Sequence, residues 1–541
     1  MKKQHLLRVR LFGWLCVILL FSAVYNPIRA ADITGDGVSD LIIGVPHEAS
    51  EDGIVNAGAV ATLRGAKDLG LTGADQLIFQ GDAQEINELG DAFGSVLAVG
   101  DFNNDGIYDA AVGVPNEGWS GLTIAGVVQV IYGKTNVGLD VSQVDFLTQD
   151  DFTSIGSPAE SNDAFGSYLA SGDFNGDGYD DLAISVPNED LTISTVDIES
   201  AGIVHVIYGS WEGLNFDFTQ SFYQDFLAGG EVAEAYDYFG RALTAGDFNN
   251  DGKDDLVIGV QGEGLSGPPV VTNAGAAHIV YGHASGLGVA GSELIHQDFE
   301  GTGDEKPELL DSFGAILAVG DFNCDYHDDL VLGLPAEAIG TISFAGAVQV
   351  FYGDDTGIDY ETNELITQFY IGESEDNDFF GFSLAVGDFN GHSCDDLAVG
   401  APGETPTTVF SAGEVDVFYG NKVNRLYWND GQVLNQGGDN GGAQEVDDRF
   451  GYALAAGNFN GDRYDDLAVG VPYEDIGTIS DAGAVQVFFG AFVVLTHVSV
   501  QVWHQDSGGI RDLAEADDQF GRTLAAIPGL VFDTYLPAIV K

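Results

Sequence analysis

The sequence is poor in basic residues and in cysteine. Its 541 residues include 85 Asp and Glu against 18 Lys and Arg, which gives a formal net charge of −67. An acidic field of this size disfavours binding to nucleic acid and to anionic membrane surfaces. Of the three cysteines, Cys16 lies in the N-terminal segment, whereas Cys324 and Cys394 lie in two acidic loops one repeat apart. We therefore expect no disulfide framework to hold the protein together.

Helical periodicity is absent, and after residue 30 no apolar run is long enough to span a bilayer. Hydrophobic residues nevertheless make up 45% of the chain, which is enough to build a core. The 75 glycines predict many tight turns, and an aromatic content of 11% favours strands over helices. The composition thus predicts an all-β protein.

The N-terminus has the three parts of a secretory signal peptide. A basic segment, MKKQHLLRVR, precedes the apolar segment LFGWLCVILLFSAVY, and Ala30 offers a small residue at a cleavage boundary. Residues 1–30 are therefore predicted to be a signal peptide, with an uncleaved anchor as the alternative. The product is expected to be secreted or displayed at the cell surface.

An acidic stretch, GDFNGDGYDDLAISVP in its third copy, recurs seven times. We number the nine-residue loops that begin at residues 32, 101, 173, 247, 321, 388 and 458 as loops 1 to 7; their spacing is 67 to 74 residues. A Phe-Gly pair precedes loops 2 to 7, and apolar alternating segments lie before and after each loop. The pattern predicts four strands in about 70 residues, which is one blade of a β-propeller.

The two ends of the repeat array are complementary. Loop 1 lacks a preceding Phe-Gly strand, whereas Phe520 and Gly521 begin such a strand that has no acidic loop after it. The last strand is therefore predicted to complete the first blade. The prediction is a seven-bladed β-propeller of four-stranded blades over residues 31–530, closed by the C-terminal strand, with a tail at 531–541.

The Phe-Gly turns, the aspartate loops and segments such as AGAVQVFYG resemble FG-GAP repeats, as in the N-terminal propeller of integrin α subunits. The resemblance covers nearly all of the chain after residue 30. It implies a seven-bladed propeller, Ca²⁺ bound in the loops that join the first two strands of each blade, and frequent roles in adhesion.

The chemistry of the loops supports the same cation. Ca²⁺ takes six to eight oxygen ligands, and a loop with side-chain oxygens at positions 1, 3, 5 and 9 and a carbonyl at position 7 can surround it. The predicted ligands are Asp32, Thr34, Asp36, Val38 and Asp40 in loop 1; Asp101, Asn103, Asp105, Ile107 and Asp109 in loop 2; Asp173, Asn175, Asp177, Tyr179 and Asp181 in loop 3; Asp247, Asn249, Asp251, Lys253 and Asp255 in loop 4; Asp321, Asn323, Asp325, His327 and Asp329 in loop 5; Asp388, Asn390 and Asp396 in loop 6; and Asn458, Asn460, Asp462 and Asp466 in loop 7.

Three loops depart from the pattern. Loop 5 has Tyr326 where a turn glycine is expected, loop 6 has His392 at position 5, and loop 7 begins with Asn458 and has Arg463 at the turn. Asp180, at position 8, is interpreted as a bystander. An EF-hand is excluded because flanking helices and a Glu at position 12 are missing, Mg²⁺ is a weaker candidate, and metal-free Asx-rich turns are the alternative for each single loop.

Other repeated residues are interpreted as structural. The Phe-Gly phenylalanines are predicted to pack between blades, and a structural role is favoured for the glutamates that follow each second strand. The loops that contain those glutamates lie opposite loops 1 to 7 and vary most, so we expect a ligand there, with Trp119, Pro268 and Pro269 as candidate contacts.

No catalytic motif is present, and the histidines are scattered. The expected function is an exported Ca²⁺-binding propeller, not an enzyme, that binds an extracellular protein or glycan. The alternatives are a secreted polysaccharide hydrolase or lyase, and a structural surface-layer component.

Overall fold

The computed structural model describes residues 32–525, except 51–52, 84–85, 153–156, 194, 229–231, 266–272, 298–311, 407, 424, 437–442, 509 and 511–512. The predicted signal peptide and C-terminal tail lie outside the described residues, as do Pro268 and Pro269. The described part consists of strands, turns and four short 3-10 segments, without an α-helix.

The strands follow the repeat of the sequence. In chain order they are β1 (Leu41–Val45), β2 (Ala59–Ala66), β3 (Gly70–Phe79), β4 (Val96–Gly100), β5 (Asp109–Val114), β6 (Val127–Lys134), β7 (Gly138–Leu147), β8 (Leu169–Gly172), β9 (Asp181–Val186), β10 (Leu191–Ile193), β11 (Val196–Ile198), β12 (Ile203–Tyr208), β13 (Asn215–Phe222), β14 (Phe239–Gly246), β15 (Asp255–Val260), β16 (Ala276–Val280), β17 (Glu293–Ile295), β18 (Ile316–Gly320), β19 (Asp329–Leu334), β20 (Ala347–Asp354), β21 (Gly357–Ile366), β22 (Ser383–Gly387), β23 (Asp396–Ala401), β24 (Glu414–Tyr419), β25 (Tyr427–Leu434), β26 (Ala453–Gly457), β27 (Asp466–Val471), β28 (Ala484–Phe489), β29 (Thr496–Trp503) and β30 (Thr523–Ala525).

These strands form seven antiparallel four-stranded sheets, the blades of a β-propeller. Blade 1 has the order β3-β2-β1-β30, so the last strand in the described part of the chain pairs with the first, as the sequence predicts. Blade 2 is β4 to β7, blade 3 is β8, β9, β12 and β13, and blades 4 to 7 are β14–β17, β18–β21, β22–β25 and β26–β29. The innermost strand of each blade contacts the innermost strands of both neighbours around the ring. In blade 3, β10 and β11 add a hairpin after the second strand.

The core lies between the faces of adjacent blades. One buried cluster, for example, joins Val96 and Val130 of blade 2 to Leu169 and Ile184 of blade 3. All seven Phe-Gly phenylalanines are buried, which confirms their predicted packing role. They are Phe93, Phe165, Phe239, Phe313, Phe380, Phe450 and Phe520.

The Phe-Gly turn of one blade is bonded to the third strand of the blade before it. The Phe165 N–H donates to the Ala125 carbonyl at 2.9 Å. Gly126 follows Ala125, and a Cβ at Gly126 would lie 2.2 Å from the Phe165 carbonyl oxygen. Gly126 has φ of +80°, so glycine is required both by its conformation and by this close approach. The paired Ala-Gly and Phe-Gly segments of the repeat are thus the two sides of one inter-blade contact.

A second inter-blade contact uses the recurring glutamates. In each pair, a buried glutamine after the fourth strand donates through Nε2 to the carboxylate after the second strand of the next blade. This arrangement agrees with the structural role favoured from the sequence. The pairs are Gln80 with Glu117, Gln149 with Glu189, Gln224 with Glu263, Gln297 with Glu337, Gln368 with Glu404, Gln436 with Glu474, and Gln505 with Glu48.

Candidate metal-binding loops

Loops 2 to 7 each join the first and second strands of a blade, and loop 1 leads into β1, the second strand of blade 1, so all seven lie on one face of the ring. Their position-1 side chain folds the loop on itself. In loop 2, Asp101 Oδ1 accepts the N–H of Asp105 at 3.0 Å, and Oδ2 accepts the N–H of Gly106 at 2.9 Å. The same bonds to positions 5 and 6 are made by Asp32, Asp173, Asp247, Asp321 and Asp388. Asn458 accepts only the Asp462 N–H, at 3.1 Å.

The position-9 aspartate of every loop is completely buried. In loop 3, Asp181 Oδ2 accepts the Phe174 N–H at 3.0 Å, and Oδ1 accepts the Gly209 N–H from the third strand at 2.8 Å. Burial and the nearby Asp173 and Asp177 raise the pKa of Asp181 to about 9. A carboxylate in this setting stays ionised at neutral pH if a cation offsets its charge.

Position 5 is exposed in loops 1 to 5, and its carboxylate aligns position 7. Asp105 Oδ1 accepts the Ile107 N–H at 3.0 Å, and Asp36, Asp177 and Asp325 make the equivalent bond. In loop 4 the side chain at position 7 also contacts the position-5 carboxylate: Lys253 Nζ lies 3.0 Å from Asp251 Oδ1. These turns place the backbone of position 7 beside the predicted ligands.

Position 3 distinguishes the loops from one another. The side-chain oxygens Oδ1 of Asn175, Asn249 and Asn323, in loops 3 to 5, are buried and have no hydrogen-bond partner. In loop 1 the unpartnered buried atom is Asp40 Oδ2. A buried oxygen without a donor carries a desolvation cost, which a cation would remove. The donor sets of loops 1, 3, 4 and 5 therefore fit an oxygen-seeking cation.

Loops 6 and 7 satisfy their oxygens internally. Asn390 Nδ2 donates to Asp396 Oδ1 at 3.0 Å while its own Oδ1 accepts the His392 N–H at 3.0 Å. Asn460 makes the same pair of contacts, to Asp466 at 3.3 Å and from Asp462 at 2.8 Å. The guanidinium of Arg463 lies close to loop 6, because a Cβ at Gly391 would be 3.0 Å from it. Loop 6 therefore has a positively charged side chain of the protein beside it.

The loops are also joined to one another by position 8. The Asp180 N–H donates to the Asp101 carbonyl at 3.2 Å, and Asp180 Oδ2 accepts the Asp101 N–H at 2.8 Å. The interpretation of Asp180 as a bystander is therefore wrong. The side-chain bond recurs from Asp254 to Asp173, Asp328 to Asp247, Asp395 to Asp321, and Asp465 to Asp388.

The backbone part of this contact is present at all seven junctions. At the remaining two junctions the position-8 residues Ser39 and Tyr108 donate through N–H to the carbonyls of Asn458 and Asp32, both at 3.2 Å. The signal for this ring was the Asp-Asp pair at positions 8 and 9, which recurs in five repeats. Each loop is therefore held by its neighbours as well as by its own turn.

Cys324 of loop 5 and Cys394 of loop 6 form a disulfide, with their Cα atoms 4.9 Å apart. The expectation that these cysteines provide no covalent link is wrong. One repeat of separation in sequence places them in adjacent blades, and the position-8 contacts bring adjacent loops together. The disulfide spans 70 residues and joins two blades at this face.

On the other face, the residues around the Phe-Gly turns form an aromatic and basic patch across blades 6, 7 and 1. The Tyr452 ring lies 5.0 Å from that of Phe382 and 6.0 Å from that of Tyr473. Arg522 Cζ lies 5.6 Å from the Tyr452 centroid and Arg449 Cζ lies 5.1 Å from the Tyr473 centroid. We call these five residues the F-G patch.

Trp119, a predicted contact on the same face, packs against Phe146 with ring centroids 5.1 Å apart. It is partly buried against the core between blades 1 and 2, and this packing already accounts for one of its faces.

The carboxylates of Glu88, Asp91 and Glu117, and those of Glu375, Asp378 and Glu404, form two groups whose oxygen atoms lie within 4.8 Å of one another. No helix in the described part of the chain is long and apolar enough to cross a membrane.

Comparison with known proteins agrees with the repeat. The FG-GAP repeat family model matches residues 28–63, 93–131, 165–207, 239–280, 380–418 and 450–488. The chain is 31% identical over 268 residues to phosphatidylinositol-glycan-specific phospholipase D of Dictyostelium discoideum, a match that covers 47% of this chain and 26% of that protein. It is 29% identical over 251 residues to integrin alpha-5 of Xenopus laevis, covering 46% of this chain and 20% of the integrin.

The matched part of the chain thus spans about a quarter or less of each of these relatives. Among solved structures, a rhamnogalacturonan lyase of Bacillus licheniformis aligns over 82% of this chain and 89% of its own, with 9% identity and a TM-score of 0.32. The repeats matched by the family model, the integrin similarity and the seven blades lead to one conclusion: this chain is an FG-GAP repeat protein whose β-propeller resembles that of integrin α chains.

Proposed function

We propose that this protein is an exported, Ca²⁺-stabilised β-propeller that acts as a ligand-binding module. The observation that supports Ca²⁺ is the set of buried oxygens without donors in loops 1, 3, 4 and 5, each beside ionisable carboxylates at positions 1 and 5. Export rests on the N-terminal sequence pattern. Integrin α relatives favour a role in binding extracellular partners.

In each of these loops the side chains at positions 1, 3, 5 and 9 would hold the cation, together with the carbonyl at position 7. Bound Ca²⁺ would supply positive charge among carboxylates that otherwise repel one another at short range. The chain itself fixes the loop: position 1 folds the turn, position 9 anchors it to the third strand, and position 8 joins it to the loop of the preceding blade.

The test of Ca²⁺ binding is elemental analysis after dialysis, combined with thermal unfolding. We expect several Ca²⁺ per chain, and we expect EDTA to lower the melting temperature because a ligand that binds only the folded state stabilises it, by about 2.7 kcal/mol at 100 times its Kd. Adding back Mg²⁺ should restore less stability than adding back Ca²⁺. A metal-free protein whose melting temperature EDTA leaves unchanged would refute the proposal.

The F-G patch supports ligand binding on the face opposite the loops. Arg449 and Arg522 make no ion pair with the carboxylates of the described residues, although the chain has 85 acidic residues. They stack on tyrosine rings instead, Arg449 on the half-buried Tyr473 and Arg522 on the buried Tyr452. Such a combination is enriched at binding interfaces.

Arrays of glycans and extracellular-matrix proteins, probed with and without EDTA, test this part of the proposal. The double variant Arg449→Ala/Arg522→Ala should lose a ligand that the wild-type protein binds, whereas Lys134→Ala, an exposed residue on the other side of the ring, should retain it. Retention of every ligand by the double variant would remove the F-G patch from the proposal.

A polysaccharide hydrolase or lyase is the second candidate function, and one observation favours it. Burial raises the pKa of both Glu404 and Asp378, and the neighbouring Asp378 adds to the rise for Glu404, so the two carboxyl groups can share one proton as the acid and base of a hydrolase do. Against it, Glu404 belongs to the repeated glutamine–glutamate contacts. Polysaccharide turnover that Glu404→Gln abolishes would establish this alternative.

A further inference from the structure

We propose that a groove between blades 2 and 3 binds a neutral oligosaccharide with Trp211 as its platform. The inference goes beyond the ligand-binding role of the F-G patch, because the groove lies on the side of the ring that carries loops 1 to 7. Its choice between a neutral and a cationic ligand rests on the sequence prediction that loop 2 also binds Ca²⁺.

The groove has a volume of about 610 Å³, within the usual range for ligand sites. One wall is Asn103 and Asp105 of loop 2, together with Tyr132 and Asp145 of the outer strands of blade 2. The other wall is Trp211 and Glu212, in the hairpin that joins β12 and β13 of blade 3. The groove therefore combines one large aromatic face with oxygen acceptors.

Trp211 is 73% exposed, so a large aromatic side chain faces solvent. Its hairpin is nevertheless fixed. The Gly213 N–H donates to the Ser210 carbonyl at 2.8 Å, and Ser210 Oγ donates to the Gly213 carbonyl at 2.7 Å. An exposed indole on a closed, bonded turn is a rigid platform, as a binding surface requires.

Blade 2 holds this hairpin from the opposite wall. The Leu214 N–H donates to the Tyr132 hydroxyl at 3.0 Å, and that hydroxyl donates to Asp145 Oδ2 at 2.6 Å. A Cβ at Gly213 would lie 2.1 Å from the Tyr132 hydroxyl, so only glycine allows the turn to sit this close. The distance between the Trp211 wall and the Asp145 wall is thus fixed by direct bonds.

The charges of the lining select the ligand. Asp105, Asp145 and Glu212 are acceptors, and no Lys, Arg or His lines the groove, so anionic ligands are repelled. When loop 2 holds Ca²⁺, Asp105 is engaged and the bound cation repels a second one. A neutral polyol remains: its hydroxyl groups donate to carboxylates and its apolar ring face packs on the indole.

The same hairpin position in blade 7 offers a matched control. Phe492 is 67% exposed, and its ring lies 5.6 Å from that of His392, the position-5 residue of loop 6. Phe492 therefore lies next to loop 6 as Trp211 lies next to loop 2. The position-5 residue beside Phe492 is a histidine, whereas the one beside Trp211 is Asp105. Phe492→Ala removes an equally exposed aromatic residue without touching the groove.

The experiment is titration calorimetry of the full chain in Ca²⁺ with uncharged hexaoses (gluco-, manno- and xylo-linked), followed also by tryptophan fluorescence. We expect at least one to bind wild type and Phe492→Ala equally, Trp211→Ala at least tenfold more weakly, and Trp211→Phe between the two. The fluorescence shift of the wild-type protein should disappear in Trp211→Phe. Thermal unfolding of each variant shows that the fold is retained.

Equal binding by Trp211→Ala and wild type would overturn the proposal, and so would binding of a lysine-rich peptide or tetramethylammonium in place of every hexaose. The calcium proposal fails separately, if the protein holds no Ca²⁺ while Trp211 still carries sugar binding. The F-G patch fails separately too, if Arg449→Ala/Arg522→Ala leaves its own ligand bound.

Discussion

Loops 3 to 5 and loops 6 and 7 are built on the same strands but differ in how their oxygens are satisfied. In loop 3, Asn175 Oδ1 is buried without a donor, whereas in loop 6 the Asn390 amide donates to Asp396 and accepts from His392. Loop 6 also has the imidazole of His392 at position 5 and the Arg463 guanidinium close by. Loops 3 to 5 leave oxygens available to a bound metal cation. In loops 6 and 7 the chain itself supplies the donor groups, and beside loop 6 it also supplies the positive charge.

The comparison separates two roles that the acidic motif combines. Position 8 makes the same contact in both groups. Position 9 accepts one backbone N–H from its own loop, at position 2 in loop 3 and at position 3 in loop 6, and in both groups it accepts one from the end of the third strand. Both positions therefore belong to the architecture of the ring. The position-3 amide is bonded differently in the two groups, and loop 6 also has a histidine at position 5, so position 3 above all decides whether a cation is needed. Four experiments can break or sharpen this division, and the largest expected effect comes first.

Asp181→Ala and Asp466→Ala should destabilise loops 3 and 7 to the same extent in EDTA. Each removes the acceptor of two backbone N–H groups, at about 1–3 kcal/mol for each group, and Asp466→Ala also removes the acceptor of the long 3.3 Å bond from Asn460 Nδ2. In Ca²⁺, Asp181→Ala should lose more stability than Asp466→Ala, because only loop 3 also loses its cation. Thermal and urea unfolding measure both, with Asp217→Ala, an exposed aspartate of β13 outside the loops, as control. Equal losses in Ca²⁺ would erase the distinction between the loops.

Removal of the Cys324–Cys394 disulfide should destabilise the junction between the two groups of loops. A bond that closes a loop of this length contributes roughly 2–4 kcal/mol. Cys324→Ser/Cys394→Ser should therefore melt at a lower temperature than the oxidised protein, and a reductant should then have no further effect. If the double variant and the oxidised wild type melt together, the position-8 contacts alone suffice to hold loops 5 and 6.

Asp180→Ala should weaken the junction of loops 2 and 3 until it resembles the junction of loops 1 and 2, where Tyr108 occupies position 8. A hydrogen bond to a charged group contributes about 1.5–3 kcal/mol, and solvent near Asp180 should place the loss at the low end. Asp180→Asn, which keeps an acceptor, should recover part of it. Differential scanning calorimetry would contradict the assignment if the alanine variant melted like wild type.

The smallest change in stability and the sharpest contrast in binding are expected at position 3. Asn175→Ala should lower the Ca²⁺ content by one ion per chain, because the oxygen that completes loop 3 is gone. Asn390→Ala should leave the Ca²⁺ content unchanged, since its amide serves the loop itself. Elemental analysis of dialysed proteins measures both, and an equal loss from the two variants would mean that loops 3 and 6 bind alike.

The sequence predicts the ring well because each blade repeats the same code. The Phe-Gly strand at Phe520 without a following loop, and loop 1 without a preceding strand, were sufficient to predict that β30 pairs with β1. The buried phenylalanines and the repeated glutamates followed from their recurrence. All of these signals are local patterns that the fold repeats seven times.

The errors have one physical origin, the reading of each loop in isolation. Asp180 bonds to loop 2 in the neighbouring blade, and Cys324 meets its partner in the next blade. Both follow once adjacent repeats are placed in adjacent blades. The orientation of the Asn175 and Asn390 amides could not be predicted from sequence, because the same residue at the same position accepts or donates according to its neighbours. Trp211 was missed because its groove forms only where two blades meet.

The pairing of β1 with β30 also sets an order in time. Ile42 of β1 pairs with Ala525 of β30. Blade 1 therefore gains its innermost strand only after almost the whole chain has been synthesised. Until then β1 presents an unpaired edge, which is an opportunity for mispairing with another chain. The Ser39–Asn458 bond and the Gln505–Glu48 contact cross the same junction and must also form late. A chain that stops before Thr523 would keep six complete blades yet leave the ring open, so the last short strand decides when folding is finished.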